Sequence, residues 1–274
     1  MRRLLFGVFL IITCKLAGAV PFEELLYKGR ANAYYGTTSN PKQQQLLESL
    51  KRSRLAERMA QLTDGAVRLR NDLGVGFVSC GSANAYFDRQ RSAVVICVEM
   101  VELLVKLARS DTEGVMKMDR LDFSRTIDGA LWGIFFHELG HAIIGVNRVP
   151  ITGREEDVAD QFALYFATNF IEPRDVPVVQ PTIWLFKQMS LQQDVASADQ
   201  DTIKRLMSNE HSLDQQRIYN LACWAYGANP AKGVISAKYV GLPEDRARRC
   251  GGEYATLHRG VSKQFQKYLK IRPQ

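Results

Sequence analysis

Residues 137 to 141 read His-Glu-Leu-Gly-His. Positions i and i+4 of an α-helix share a face, so His137 and His141 can aim two imidazole nitrogens at one metal ion while Glu138 stands beside them. Zn2+ takes imidazole nitrogens and carboxylate oxygens together, and this spacing is that of a metal-assisted hydrolase. In such a site, water activated by the ion attacks a carbonyl and the glutamate takes its proton. A lone histidine in this setting would read as a core residue bonded to backbone; two at i and i+4 with a glutamate between them favour a metal.

A hydrolytic zinc site normally has three protein ligands, with the fourth position left for water. Gly145 and Pro150 mark the end of the first helix and a loop, and Gly153 to Asp160 opens a second helix with the apolar stripe Ala159, Phe162, Ala163, Phe166 and Phe170. The two helices should lie antiparallel, which brings the start of the second over the histidines. Among Glu155, Glu156 and Asp157, only Glu156 has a carboxylate, Asp160, one turn further along its own face. Glu156 is therefore the expected third ligand, and Asp160 is placed to accept the free N–H of a ligating histidine and fix its tautomer. Standing alone, the acidic cluster would read as a solvated helix start favoured by the macrodipole.

A tetrahedral oxyanion also needs a donor beyond the metal. His211 is the candidate catalytic donor, standing just before a helix for which Ser212 and Gln215 read as a capping box; its alternative is a solvent-exposed residue. Arg217 can bind substrate or pair with an acid. Tyr165 and Tyr219 read as core aromatics with satisfied hydroxyls, and His258 as structural or exposed.

The pattern His137-Glu138-x-x-His141 followed by Glu156-x-x-Ala159-Asp160 resembles the gluzincin metallopeptidases. In that group the glutamate of the second element is the third zinc ligand and the aspartate supports a histidine. Phe136 to His141, Gly153 to Phe162 and His211-Ser212-Leu213-Asp214-x-Gln216-Arg217-x-Tyr219 are, more closely, similar to an exported bacterial family of metallopeptidase-like proteins. This similarity covers most of the chain after its leader. It implies a zincin-like fold and a metal, without naming a substrate. A third histidine at metzincin spacing is missing, and no further apolar span of membrane length is expected.

The elements that must position these residues can be read from the rest of the chain. The helix from Ser124 to Val146 is apolar on every side, hence buried. Upstream, Gly74 to Cys80 and Ser92 to Val98 are β-prone, with a polar turn at Asp88 to Arg91, and read as a hairpin in a small sheet over residues 74–98. Asn84 to Phe87 is a candidate edge for pairing with an extended peptide. Before it come an extended lead-in from Val20 to Tyr35 and one amphipathic helix from Gln43 to Leu62, whose Leu46, Leu47, Leu50, Leu55 and Met59 recur at helical spacing. Glu99 to Arg109 reads as a helix, Asp111 to Leu121 as a polar loop, and residues 182–274 as a helical C-terminal part. The expected class is α+β, mostly helical, with an active-site helix pair spanning about 124–172.

Met1-Arg2-Arg3, the apolar run Leu4 to Thr13 and Ala17-Gly18-Ala19 read as a signal peptide over residues 1–19, cut before Val20. The run falls short of the ~20 residues of a spanning helix. Residues 20–274 then form one metallopeptidase-like domain, exported to the periplasm or secreted, with no stable membrane span. Four cysteines remain in it, and their nearest-neighbour pairing gives disulfides Cys80–Cys97 and Cys223–Cys250. The full chain carries +7; without Arg2, Arg3 and Lys15 it has 33 basic against 29 acidic residues, or +4. Dispersed charge of this size excludes nucleic acid as the expected partner. The expected function is a zinc peptidase with one Zn2+ per chain and a peptide or protein substrate. A non-catalytic zinc-stabilised binding protein and a zinc amidase acting on cell-wall material are the alternatives.

Overall fold

The computed structural model describes residues 26–111, 123–172, 176–191, 198–209 and 212–272. The leader at residues 1–19, the polar loop expected from Asp111 to Leu121 (beyond Asp111 itself) and His211 lie outside them.

Strand β1 (Ala31–Tyr35) is followed by helices α1 (Pro41–Arg52) and α2 (Leu55–Ala66). Asn40 caps α1 by accepting from the N–H groups of Lys42 and Gln43. The single helix expected across residues 43–62 is in fact two. Ser53 turns its hydroxyl back onto the Leu50 carbonyl at 2.8 Å, and Arg54 adopts a left-handed φ of 54°. The break lets Leu47 and Leu50 on one side, and Leu55, Ala56 and Met59 on the other, all reach the core.

Strands β2 (Leu73–Val78), β3 (Ala85–Asp88) and β4 (Ala93–Cys97) complete a mixed sheet of order β1-β2-β4-β3. The expected hairpin between the segments 74–80 and 92–98 is corrected here. β2 and β4 are neighbours but parallel, and the turn after Asp88 joins β4 to β3 instead. Cys97 lies opposite Val78 in the parallel register, so the bond Cys80–Cys97 ties two strand ends on one side of the sheet. The pairing expected for the cysteines is the one observed, and the first bond joins a parallel pair of strands rather than a hairpin.

Helix α3 (Val98–Ser110) leaves β4 directly, and α4 (Phe123–Asn147) is the axis of the fold. Among the described residues, α4 is the one helix long and apolar enough to cross a membrane, which corrects the expectation that no such span exists beyond the leader. Its most apolar window is 89% buried inside the protein, the position of a core helix. Its neighbours explain the composition. Phe136 meets Phe166 of α5 (Glu155–Phe166), Gly145 lies against Phe87 of β3, and Gly129 and Gly133 lie against Pro181 and Thr182 of α6 (Val179–Ser190).

A π-helical turn, Ala167–Ile171, extends α5. Helices α7 (Gln200–Met207), α8 (Asp214–Ala228), α9 (Pro230–Val240), α10 (Glu244–Ala247) and α11 (Cys250–Phe265) follow, and Cys223–Cys250 links α8 to the start of α11. Two disulfides point to an oxidising setting outside the cytoplasm. After α11 the chain returns to the first half: Tyr268 accepts from the Arg68 N–H, and Lys270 donates to the Ala66 carbonyl.

The close approach of α4 and α6 is testable. A Cβ at Gly129 would stand 2.4 Å from the Pro177 carbonyl oxygen and 2.6 Å from the Pro181 ring. Helix propensity alone favours alanine by about 1 kcal/mol, yet Gly129→Ala should destabilise the protein by roughly 1–3 kcal/mol through overpacking. Denaturant unfolding of the two proteins measures the sign; greater stability in the variant would refute this packing account.

Candidate metal centre

Contacts along α4 and α5 run in opposite directions: Phe136 with Phe166, His137 with Asp160, Gly140 with Ala159, and His141 with Glu155. The helices are therefore antiparallel, as their short connection requires. Gly140 sets their spacing, since a Cβ there would lie 3.1 Å from the Ala159 Cα. Glu156 and Asp160 flank Ala159 by about a turn in total, and the tight approach at Gly140 lowers both over the histidines.

Three ligand atoms converge. His137 Nε2 and His141 Nε2 are 3.2 Å apart, and the Glu156 carboxylate oxygens lie 3.2 Å from the first and 3.4 Å from the second. Two ligand atoms about 2.0–2.1 Å from a shared tetrahedral ion stand roughly 3.3 Å apart, so the two imidazole nitrogens and a Glu156 oxygen are close enough to share one ion. The opposite ring nitrogens are each committed to a carboxylate: His137 Nδ1 to Asp160 at 2.8 Å and His141 Nδ1 to Glu155 at 2.8 Å. A carboxylate only accepts, so each Nδ1 carries a proton, and Nε2 is the nitrogen of each ring turned to the gap, a ligand once its own proton is lost. This donor set fits a divalent cation.

A family described as "Putative metallopeptidase" matches residues 35–264, from the end of β1 to the end of α11. The chain belongs to this family. No curated protein and no solved structure matches it. Membership supports a metal-dependent peptidase with peptide or protein as the substrate class, and His137, His141 and Glu156 are the residues that could hold the metal.

Electrostatics around the site run in the same direction. His137, Glu138, His141 and Asp160 are each less than a tenth exposed. Burial works against a charged His137, but hydrogen bonds and charge from Asp160, Glu156 and Glu138 overcome it and push the imidazole up to about 10. His141 is also raised, against burial, chiefly by its hydrogen bond to Glu156. Burial would raise Asp160, yet the Arg217 guanidinium and His137 hold it far below the ordinary carboxylate range.

Arg217 grips Asp160 with two hydrogen bonds, Nε to Oδ2 at 2.8 Å and Nη2 to Oδ1 at 2.7 Å, and lies over the Phe186 ring. Of the two readings left open for it in the sequence, the acid pairing is the one observed. Glu155, considered from sequence only as a rival ligand, instead supports His141 and is itself paired with Arg89. Its place just before the ligand on a helix start could have suggested this role. Nothing local signalled Arg89, which comes from the distant β3–β4 turn. Asp157 is engaged elsewhere, accepting from the Ser212 hydroxyl at 3.0 Å. This also corrects the capping box at Ser212 and Gln215: Leu213 is the cap residue of α8 and no side chain caps it.

The remaining sequence candidates fall away from the centre or outside the described residues. Tyr165 is fully buried against Phe170 and His258, and Tyr219 packs on the core. Cys80, Cys97 and Glu99 form a second cluster of metal-ligand types, but its sulfurs are joined in a disulfide.

Two outcomes follow. Carboxylates behind metal-bound histidines typically contribute about 10–100-fold in metal affinity, so Arg89→Ala and Glu155→Gln should each weaken zinc binding about tenfold in a chelator competition. Arg91→Ala, an exposed arginine of the same turn paired with Asp88, should leave it unchanged; equal losses in all three would mean a merely structural hairpin. For pH, the folded value of His137 is raised, so the stability it gives the metal-free protein is complete below 6.5 and is lost as pH climbs through about 10. Metal must displace that proton, so affinity should increase with pH, about tenfold per unit for one proton. A flat affinity profile between pH 6.5 and 10 would show the imidazole already neutral.

Proposed function

We propose that the chain is a zinc-dependent peptidase in which His137, His141 and Glu156 hold the ion, Asp160 orients His137 and Glu138 is the general base. The observation that carries this reading is the convergence of three ligand side chains, with nearest atoms 3.2–3.4 Å apart, beside a buried carboxylate. Bound there, zinc would lower the pKa of a water to about 7 and polarise the scissile carbonyl. Glu138 accepts the proton of the attacking water and returns it to the leaving amine. Phe135, Phe136 and Leu139, all fully buried, surround this segment of α4 and keep the local dielectric low, which strengthens each charge interaction. Arg217 and Arg89 hold the two supporting carboxylates in place while protons move at Glu138.

For substrate, β3 pairs only with β4 among the described strands, so its other margin is open to an extended peptide. Phe87 of β3 lies against Gly145, one turn beyond His141, so a peptide paired there would run beside the metal helix. His211 is assigned as the donor to the developing oxyanion. Residues 1–19 are assigned as a cleaved signal peptide and residues 20–274 as one domain acting in the periplasm or outside the cell, with no nucleic-acid partner. Both disulfides support that compartment.

The experiment measures bound metal and cleavage of a diverse peptide library by wild type and Glu138→Gln. One zinc per chain in both proteins, with a loss of roughly 10²–10⁴-fold in turnover for the variant, is the expected result. Zinc present with identical cleavage profiles would support a binding protein without catalysis. Cleavage of cell-wall amides but not of peptides would support the amidase, and absence of metal would remove the site.

A further inference from the structure

Away from the metal centre, a cavity of about 650 Å³ opens between the π turn, α8, α9 and α11. One turn of π-helix in an α-helix recurs at functional sites, and this one places polar groups at the cavity wall. Thr168 Oγ1 lies 3.2 Å from the Tyr254 hydroxyl, and Asn169 Nδ2 donates to the same hydroxyl at 3.0 Å. Glu172 follows immediately, its carboxylate accepting from the Val179 N–H at 3.0 Å. Burial raises the Glu172 carboxyl, while that N–H and the charge of Lys232 act in the opposite sense.

Three charged side chains line the cavity: Arg125, which has an interaction of its own, and Lys232 and Glu172, which feel each other's charge although no ion pair joins them among the described residues. Ser236 also lines it and is only 3% exposed. A hydroxyl at the wall and two opposed charges held apart suit a polar ligand. A simple carboxylate would be repelled by Glu172 and a simple amine by Lys232. A molecule with one charge of each sign satisfies both. Val179 and Ala225 add an apolar surface on the same wall.

We propose that this cavity binds a free amino acid, with Lys232 taking its carboxylate, Glu172 its ammonium, Ser236 a polar atom between them, and Val179 and Ala225 an aliphatic side chain. The site is independent of the metal and stands whether or not the chain cleaves peptides. A neutral sugar, which amides and hydroxyls can also hold, makes no use of the opposed charges.

Calorimetric titration of the full chain with L-leucine tests the site, beside isocaproate, which lacks the amine, isoamylamine, which lacks the carboxylate, and N-acetylglucosamine. Saturable binding of leucine is expected, with each single-charge analogue at least tenfold weaker. Lys232→Met, an exposed substitution that leaves the core intact, should weaken leucine at least tenfold, and Glu172→Gln likewise if its melting temperature is preserved. Arg91→Ala, an exposed change outside the cavity lining, should bind leucine as wild type does. No saturable leucine binding, equal binding of isocaproate, tighter binding of the sugar, an unaffected Lys232→Met, or loss of binding in Arg91→Ala would each overturn the proposal.

Discussion

Ionisable side chains on a helix that is apolar all round must be neutralised where they stand. An unpaired charge in such surroundings costs several kcal/mol even after relaxation, and α4 buries His137, Glu138 and His141 within five residues. The surrounding structure answers in layers. Glu156 closes the inner triangle, Asp160 and Glu155 take the outward-facing nitrogens, and Arg217 and Arg89 match those carboxylates in turn. With the imidazoles neutral, the carboxylates of Glu138, Glu155, Glu156 and Asp160 exceed the two arginines, a surplus that a divalent cation between the Nε2 atoms would offset. Removal of one member of such a network is far more damaging than its net contribution suggests, because the partner is left charged and dry.

The two halves of the network differ in solvation. Asp160 and Arg217 are buried and joined by a two-point contact backed by Phe186, so this arm is rigid. The Arg89 side chain is 56% exposed and Glu155 27%, so their contact is screened and weaker. His137 is accordingly the fixed imidazole and His141 the more adjustable one. The adjustable arm is also the one that reaches the sheet, where Arg89 and Phe87 belong to the β3–β4 hairpin.

Much of the centre was legible because helical periodicity is a geometric rule. The i,i+4 pair, the choice of Glu156 over its neighbours through Asp160, and the antiparallel helix pair all follow from 3.6 residues per turn. Sheet topology has no comparable rule. The segments 74–80 and 92–98 have the same β-prone composition whether they pair parallel or antiparallel, and only the short strand at 85–88 reverses the chain. Continuous apolar spacing from Leu46 to Met59 likewise hid the break at Arg54, because both helices face one core. Ser212 had cap chemistry but spends its hydroxyl on Asp157, a tertiary contact that outweighs local propensity. Arg89 reaches Glu155 across 66 residues, beyond what any local pattern encodes.

The return of the chain after α11 has a consequence for the order of folding. Lys270 donates from its side chain to the Asp64 carbonyl across 206 residues, and Tyr268 and Lys270 bond the backbone around Val67. Contacts of such sequence separation form late, since the loop between them must close first. Folding can thus bring both imidazoles together with Glu156 before Asp160 acquires its arginine from α8, and the backbone around Val67 is closed only when the residues after α11 have docked.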